Sequence, residues 1–461
     1  MEPNRPKVFS ILSRAFAHYG MLVILLLLSV LFSLLTLREQ QPTGDAAAGA
    51  LFKRLKGPDG PRGSILILAR PGEEDALFAR KLRDHLASAD LPVAGVIVGD
   101  PVTLRHEVER FAETEHGPVV AATIESYAPV VRSVLGSFPS LAGAPVLTPP
   151  TYRWPTFLLK DNLRNVANQI AVIAMVAVGM TMVIITGGID LSVGSLIALA
   201  AVTATGLIGL TGGEAASPAA MFACGLAAIL VCGLFGTFSG LTITRFGVPP
   251  FIATLGMMQV ASGMAYILSK GRPIYRLPDG FVVLGRAADP LLGIPYAVLL
   301  MAGLFLAAHL LMSRTVLGRY IYAVGGNSEA ARLAGVRVKS VLMFVYTASG
   351  MLAGLGGVIM ASQLKSGAPT YGLMYELYVI AAVVVGGTSL SGGEGKILGT
   401  LIGAFIIAVI QNGMNLTNVE SYTQKVVLGL VILCAVLLDR TKHLDWRRRR
   451  PGKRALGTPV P

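Results

Sequence analysis

The sequence predicts a mainly α-helical polytopic membrane protein of about ten transmembrane helices, with a small extracytoplasmic α/β domain inserted after the first helix. Three observations predict it. Of 461 residues, 53% are hydrophobic and 14% charged, against about 25% charged in ordinary soluble domains; mean hydropathy is +0.65. Ten stretches are apolar over about the length a helix needs to cross a bilayer: 20–37, 166–187, 192–211, 219–243, 251–268, 294–312, 340–362, 374–391, 397–414 and 424–438. Residues 38–160 break that pattern with short apolar runs separated by charged, helix-periodic segments.

Taken in order, the first apolar stretch follows Arg5, Lys7 and Arg14, and its length favours a retained anchor over a cleaved signal. Beyond it, Ser64–Ala69, Pro92–Val98 and Pro118–Ile124 read as short buried strands, with helices at Glu73–Ala87 and Leu104–Thr114 between them. Strands alternating with helices predict a parallel sheet. The charges of residues 38–160 balance at 14 basic and 14 acidic. The division expected is 1–37 N-terminus and first span, 38–155 insert, 156–440 membrane core and 441–461 basic tail.

The net charge of +13 does not announce nucleic acid. Basic residues gather where membrane topology places them. Arg314, Arg319, Arg332, Arg337 and Lys339 separate the sixth and seventh spans; Arg440, Lys442, Arg447 to Arg450, Lys453 and Arg454 follow the last. Ten spans then put both termini and that loop in the cytoplasm. Lys270, Arg272, Arg276 and Arg286 partly violate the rule. Trp446 beside Arg447 to Arg450 fits an anchor to anionic lipid. Cys224, Cys232 and Cys434 lie in apolar runs and read as small core residues, and no metal or cofactor is expected.

Four stretches carry polar chemistry. Residues 184–195 read Ile-Ile-Thr-Gly-Gly-Ile-Asp-Leu-Ser-Val-Gly-Ser between two spans. A carboxylate at bilayer depth costs about 2.5–3.5 kcal/mol or more, so Asp190 with Thr186 and Ser192 is expected beside a water-filled path or a partner. Gly325 to Gly335 forms a short capped helix in the basic loop, with Asn327 or Ser328 as cap and Glu329 in its first turn. Ala330, Ala331 and Ala334 give it a small-residue face, and Gly335 ends it. Phe246 to Gly256 starts a helix at Pro249 and Pro250. Gly386 to Gly395 permits a bend, and Gln411, Asn412 and Asn415 beyond it offer amides to hydroxyls. Leu390-Ser-Gly-Gly-Glu394 imitates an ATPase signature. Leu390 and Ile397 occupy the glycine and hydroxyl positions of a phosphate loop, so no ATP hydrolysis is expected.

Together, Ile184 to Ser195, Val248-Pro-Pro-Phe-Ile252, Gly325 to Gly335 and Gly386 to Gly393 resemble the permease subunits of bacterial ATP-binding-cassette sugar importers, over about residues 151–440. The resemblance implies ATPase subunits docked on Asn327, Glu329, Ala330, Ala331, Arg332 and Gly335. It implies a second permease copy or paralogue, a periplasmic solute-binding protein, and an inner-membrane location. Thr186, Asp190, Ser192, Gln411, Asn412 and Asn415 would line the path of a monosaccharide moved by alternating access. Two residues depart: Ser262 stands where relatives often carry arginine, and Glu394 where basic or small residues are common. The insert has no counterpart in ordinary members; it faintly resembles part of one lobe of a sugar-binding protein. Competing readings are a permease for amino acids or a furanone-type signal, and an ion-coupled secondary transporter.

Overall fold

The computed structural model describes residues 7–57, 63–114 and 118–448. Of the basic residues expected at the chain ends, Arg5, Arg449, Arg450, Lys453 and Arg454 lie outside the described residues. The chain forms two units: Leu37–Thr156, and Met1–Thr36 together with Phe157–Pro461. The second begins with α1 (Lys7–Leu35), a helix with a long apolar run.

The Leu37–Thr156 unit is opened by β1 (Leu37–Gln40) and then α2 (Gly44–Lys56). There follow β2 (Ser64–Ala69), α3 (Glu73–Ala87), β3 (Val93–Val98), α4 (Pro101–Thr114), β4 (Val119–Ala122) and α5 (Ala128–Gly136). β5 (Val146–Leu147) and β6 (Tyr152–Pro155) complete it. Four strands form a parallel sheet in the order β3-β2-β4-β5. The chain reverses direction after β3, so right-handed crossovers put α3 and α4 on opposite faces. β2 sits inside the sheet with Ile65 to Ala69 all buried, which is why it reads as an unbroken apolar run. Leu51, Phe78, Leu82 and Leu86 fill the core beside Leu104, Val108 and Val131. The buried Tyr127 hydroxyl donates to the Gly99 carbonyl at 2.9 Å. Burial and the neighbouring Asp100 charge push its pKa above the usual phenol value. β1 and β6 pair antiparallel, Leu37 opposite Pro155 and Gln40 opposite Tyr152, so the unit is entered and left side by side.

The other unit continues with α6 (Lys160–Ile185), α7 (Val193–Leu210), α8 (Pro218–Phe246), α9 (Pro250–Ser269), α10 (Val283–Arg286) and α11 (Tyr296–Arg314). After these come α12 (Val316–Gly326), α13 (Ser328–Leu333), α14 (Val338–Leu364), α15 (Tyr375–Val385), α16 (Ile397–Leu416) and α17 (Ser421–Arg448). α6, α7, α8, α9, α11, α14 and α16 are long and apolar enough to cross a membrane; Gly20–Leu35, Tyr375–Val385 and Ser421–Cys434 are shorter apolar helices. Each of the ten apolar stretches therefore contains a helix. The chain is a multi-pass helical membrane protein.

α6 is the axis of the bundle. Its residues from Ile170 to Ile185 are buried without interruption, as expected of a helix apolar on all sides. α8 and α14 approach closely because glycines face each other's backbones: a Cβ on Gly236 would strike the Tyr346 carbonyl, and one on Gly350 the Cys232 carbonyl. Such contacts replace hydrophobic drive inside a membrane. Hydroxyl pairs bridge helices, Thr181 with Thr400 at 2.7 Å and Thr237 with Thr347 at 2.9 Å.

Two expectations need correction. The 374–391 stretch is helical only over Tyr375–Val385, which spans roughly 17 Å and cannot cross a bilayer alone. Gly386 and Gly387 end it, and Gly367, Pro369 and Gly372 keep the preceding segment from coiling. Cys434 is exposed, unlike the buried Cys224 and Cys232. Arg286, one of the residues at odds with the charge rule, is a structural anchor; its Nε donates to the Gln363 carbonyl at 2.6 Å.

Candidate functional site

The turn between two spans carries the buried acid. α6 stops at Ile185, Gly187 takes φ +80° and α7 starts at Val193. Thr186 caps α6, its hydroxyl donating to the Val183 carbonyl at 2.7 Å. Asp190 is 1% exposed. Its Oδ1 accepts from the Ser192 amide at 3.0 Å and the Ser192 hydroxyl at 2.6 Å. Its Oδ2 accepts from the Ser349 hydroxyl on α14 at 2.8 Å. Thr254 on α9 donates to the Ile189 carbonyl at 3.2 Å. The carboxylate thus closes the turn into α7 and ties it to α14, while the Ile189 carbonyl ties the same turn to α9. Gly188 makes room for the Tyr346 ring, because a Cβ there would strike its hydroxyl. That hydroxyl is buried and has no hydrogen-bond partner among the described residues.

Three backbones meet directly beyond this turn. The Gly393 amide donates to the Ile185 carbonyl at 2.8 Å. A Cβ on Gly325 would strike that same carbonyl and lie 2.7 Å from the Gly393 nitrogen. One on Gly392 would lie 2.8 Å from the Gly325 carbonyl oxygen and 3.2 Å from Gly187. The Tyr322 hydroxyl donates to the Gly395 carbonyl at 2.8 Å. The end of α12, the end of α6 and the turn after α15 consequently meet backbone to backbone, with the Tyr322 hydroxyl as a further tie.

α13 leaves directly from this knot. Asn327 is its cap, accepting from the Ala330 amide at 3.0 Å, and Gly335 takes φ +85° just past its end. Glu329 and Arg332 form an exposed pair at 2.7 Å, a surface contact of little energy. Ala331 is buried, while Asn327, Glu329, Ala330, Arg332 and Gly335 are exposed. Leu333, which sequence reasoning passed over, is 83% exposed, the apolar point of a small and charged surface.

The amides of α16 lie elsewhere. Asn412 and Asn162 exchange hydrogen bonds of 2.9 and 3.0 Å, and Asn415 accepts from Gln424 at 2.8 Å. Gln411 is half-buried beside them. Asn162 opens α6 and Asp190 follows its other end, roughly 35 Å away along the helix. Thr186, Asp190 and Ser192 are thus brought together, and Gln411, Asn412 and Asn415 form a separate polar group at the far end. Ser349 and Tyr346, which complete the Asp190 surroundings, left a faint signal: a hydroxyl and a phenol beside the glycine run Gly350, Gly354 and Gly357.

The chain is thus a bundle of membrane-length helices close-packed through glycine, with a buried polar turn between α6 and α7. A family model described as "Branched-chain amino acid transport system / permease component" matches residues 162–436, and the chain belongs to that family. Similar relatives include the ribose import permease protein RbsC of Escherichia coli K12, 44% identical over 295 residues, which are 63% of this chain and 88% of the relative. RbsC of Bacillus subtilis 168 is 45% identical over 293 residues, 62% of this chain and 87% of the relative. The L-arabinose transport system permease protein AraH of E. coli K12 is 38% identical over 289 residues, 63% and 85%. No solved structure matches. The family match starts at residue 162, leaving the Leu37–Thr156 unit outside it.

Proposed function

We propose that the chain is the membrane subunit of an ATP-driven importer that moves a monosaccharide by alternating access across the bacterial plasma membrane, both termini and α13 facing the cytoplasm. ATPase subunits dock on Asn327, Glu329, Ala330, Arg332 and Gly335, with Leu333 as the apolar anchor; Ala331, expected on this surface, is buried and packs the helix onto the bundle instead. The observation carrying this reading is the glycine knot. A push on α13 meets Gly325 and Gly326, and through them the backbones of Ile185 and Gly393. Motion of a docked partner thereby reaches the buried turn between α6 and α7 largely through backbone. Asp190 and Ser192 hold the shape of that turn, and Thr186 sets where α6 stops. Gln411, Asn412 and Asn415 stand at the outer end of the path.

A second permease copy or a paralogue completes the membrane assembly, a periplasmic binding protein delivers solute, and the basic tail meets anionic lipid. The Leu37–Thr156 unit serves outside the membrane as a docking or spacer domain. Similarity to permeases of ribose and arabinose systems supports a sugar as cargo. Vesicles holding this chain, its ATPase and its binding protein test the reading. ATP-dependent uptake of a labelled pentose or hexose is expected, with a branched-chain amino acid as comparison because of the family's description. Uptake of the amino acid alone would replace the cargo. Accumulation by this polypeptide as sole component would replace the mechanism.

A further inference from the structure

The 365–376 segment carries an arrangement that nothing above uses. Residues 366–374 run non-helically beside α7. A Cβ on Gly367 would strike the Thr205 side chain and lie 2.7 Å from the Ala201 carbonyl oxygen. One on Gly372 would strike the Gly194 carbonyl and lie 2.9 Å from Ile197. Between Thr205 and Gly194 the segment therefore follows roughly 16 Å of a membrane-length helix. At its start Gly367 forms a two-bond bridge with Ile274, 2.8 and 2.9 Å. Gly372 and Met374 take φ +70° and +67°, the second a backbone state that an ordinary side chain adopts only when its surroundings impose it.

Non-helical backbone at such depth persists only where protein covers it or water borders it. Ala368, Pro369 and Gly372 are covered, whereas Thr370, Leu373 and Met374 are exposed. α15 then opens with Glu376. Its carboxylate lies against Gly194, where a Cβ would strike it, at the N-terminal turn of α7, whose aligned amides favour negative charge. Among the described residues it has no ion pair and no hydrogen bond from another residue's side chain. Tyr375 and Tyr378 share another face of α15, packed against the core with rings 6.0 Å apart at 75°.

We propose that this segment and the first turn of α15 form a subsite for a neutral polyhydroxylated solute. Glu376 accepts hydrogen bonds from its hydroxyls. A lone carboxylate repels solutes carrying carboxylate or phosphate, so the subsite selects against sugar acids and sugar phosphates. The proposal rests on the transport reading and adds the group that meets the cargo. In vesicles containing the complete importer, Glu376→Gln should lower uptake of a labelled neutral sugar at least tenfold while ATP hydrolysis stays within twofold. Glu376→Asp should recover uptake to within threefold of the unchanged importer. Independently, Met374→Cys in a Cys434→Ser background should react with a membrane-impermeant thiol reagent. Wild-type uptake by Glu376→Gln, or an unreactive Cys at 374, overturns the subsite; the labelling decides if the glutamine variant fails to assemble. An unchanged importer that takes up no sugar with ATP present overturns the transport reading instead, a distinct result.

Discussion

Asp190 and Tyr346 sit in one buried pocket of polarity and have opposite prospects on substitution. The carboxylate accepts three hydrogen bonds, so Asp190→Ala leaves two hydroxyls and an amide without an acceptor. Each such buried group costs about 1–3 kcal/mol. The variant is expected to melt well below the unchanged protein in detergent, and Ser349→Ala, which removes one of the three donors, by a smaller margin. An Asp190→Ala protein melting with the unchanged one would refute this account of the turn. The Tyr346 hydroxyl is buried with no partner among the described residues. Tyr346→Phe removes an unsatisfied group at nearly constant shape and should be neutral or stabilising by about 1 kcal/mol. Thermal unfolding checks it, and a marked loss would show that the hydroxyl is engaged. Asp190 was legible in the sequence because a lone acid between apolar runs demands an explanation. Its acceptor role was not legible, because Ser349 lies 159 residues away.

Among the elements, α13 and α4 expose their logic at their ends. Leu333→Asp replaces the apolar point of α13 while leaving the buried Ala331 and the Asn327 cap in place. The variant should insert normally and lose association with the ATPase in a pull-down from detergent; retained association would remove Leu333 from the interface. The first turn of α4 depends on Asp100, whose side chain accepts from the Thr103 amide at 2.8 Å. That bond holds the carboxyl pKa below its usual value. Its contribution is therefore present above the ordinary aspartate range and fades as pH falls through the lowered value. Asp100→Asn keeps an acceptor and should lose this acid dependence, while Asp100→Ala should lower the melting temperature at neutral pH; hydrogen exchange of the Thr103 amide reports both. Apolar length marked every membrane helix, and β2, α3 and β3 fall where the hydropathy pattern put them. The early end of α15 escaped notice because Gly386 and Gly387 continue an apolar run that reads as one span over 374–391. β1 and β6 escaped for another reason: Leu-Arg-Glu-Gln and Tyr-Arg-Trp-Pro carry no strand alternation, and only their mutual pairing makes them strands.

At the level of the whole molecule, the Leu37–Thr156 unit is inserted between two parts of the helical membrane unit. Within the membrane unit the Phe157 amide donates to the Thr36 hydroxyl at 3.1 Å, and Thr36 also bonds the Phe32 carbonyl at 2.6 Å. The two ends that flank the insert are therefore held together by the membrane unit itself. Joining residues 36 and 157 through a short Gly-Ser linker should leave insertion and ATP-driven uptake within threefold of the full chain. A protein that no longer inserts would mean that the bundle depends on the excised unit for folding. The parallel sheet of that unit was readable because buried strands between amphipathic helices leave few alternatives. What the unit does was not, because its charges balance and the family match begins after it.

The hydrogen bond between Thr36 and Phe157 has a practical corollary. A loop tethered at neighbouring points costs little more entropy when it is lengthened, so the junction behaves as a permissive port. A fluorescent reporter or an affinity module with adjacent termini, spliced at that port, would ride on the transporter without disturbing its helices and give a handle for watching single molecules at work.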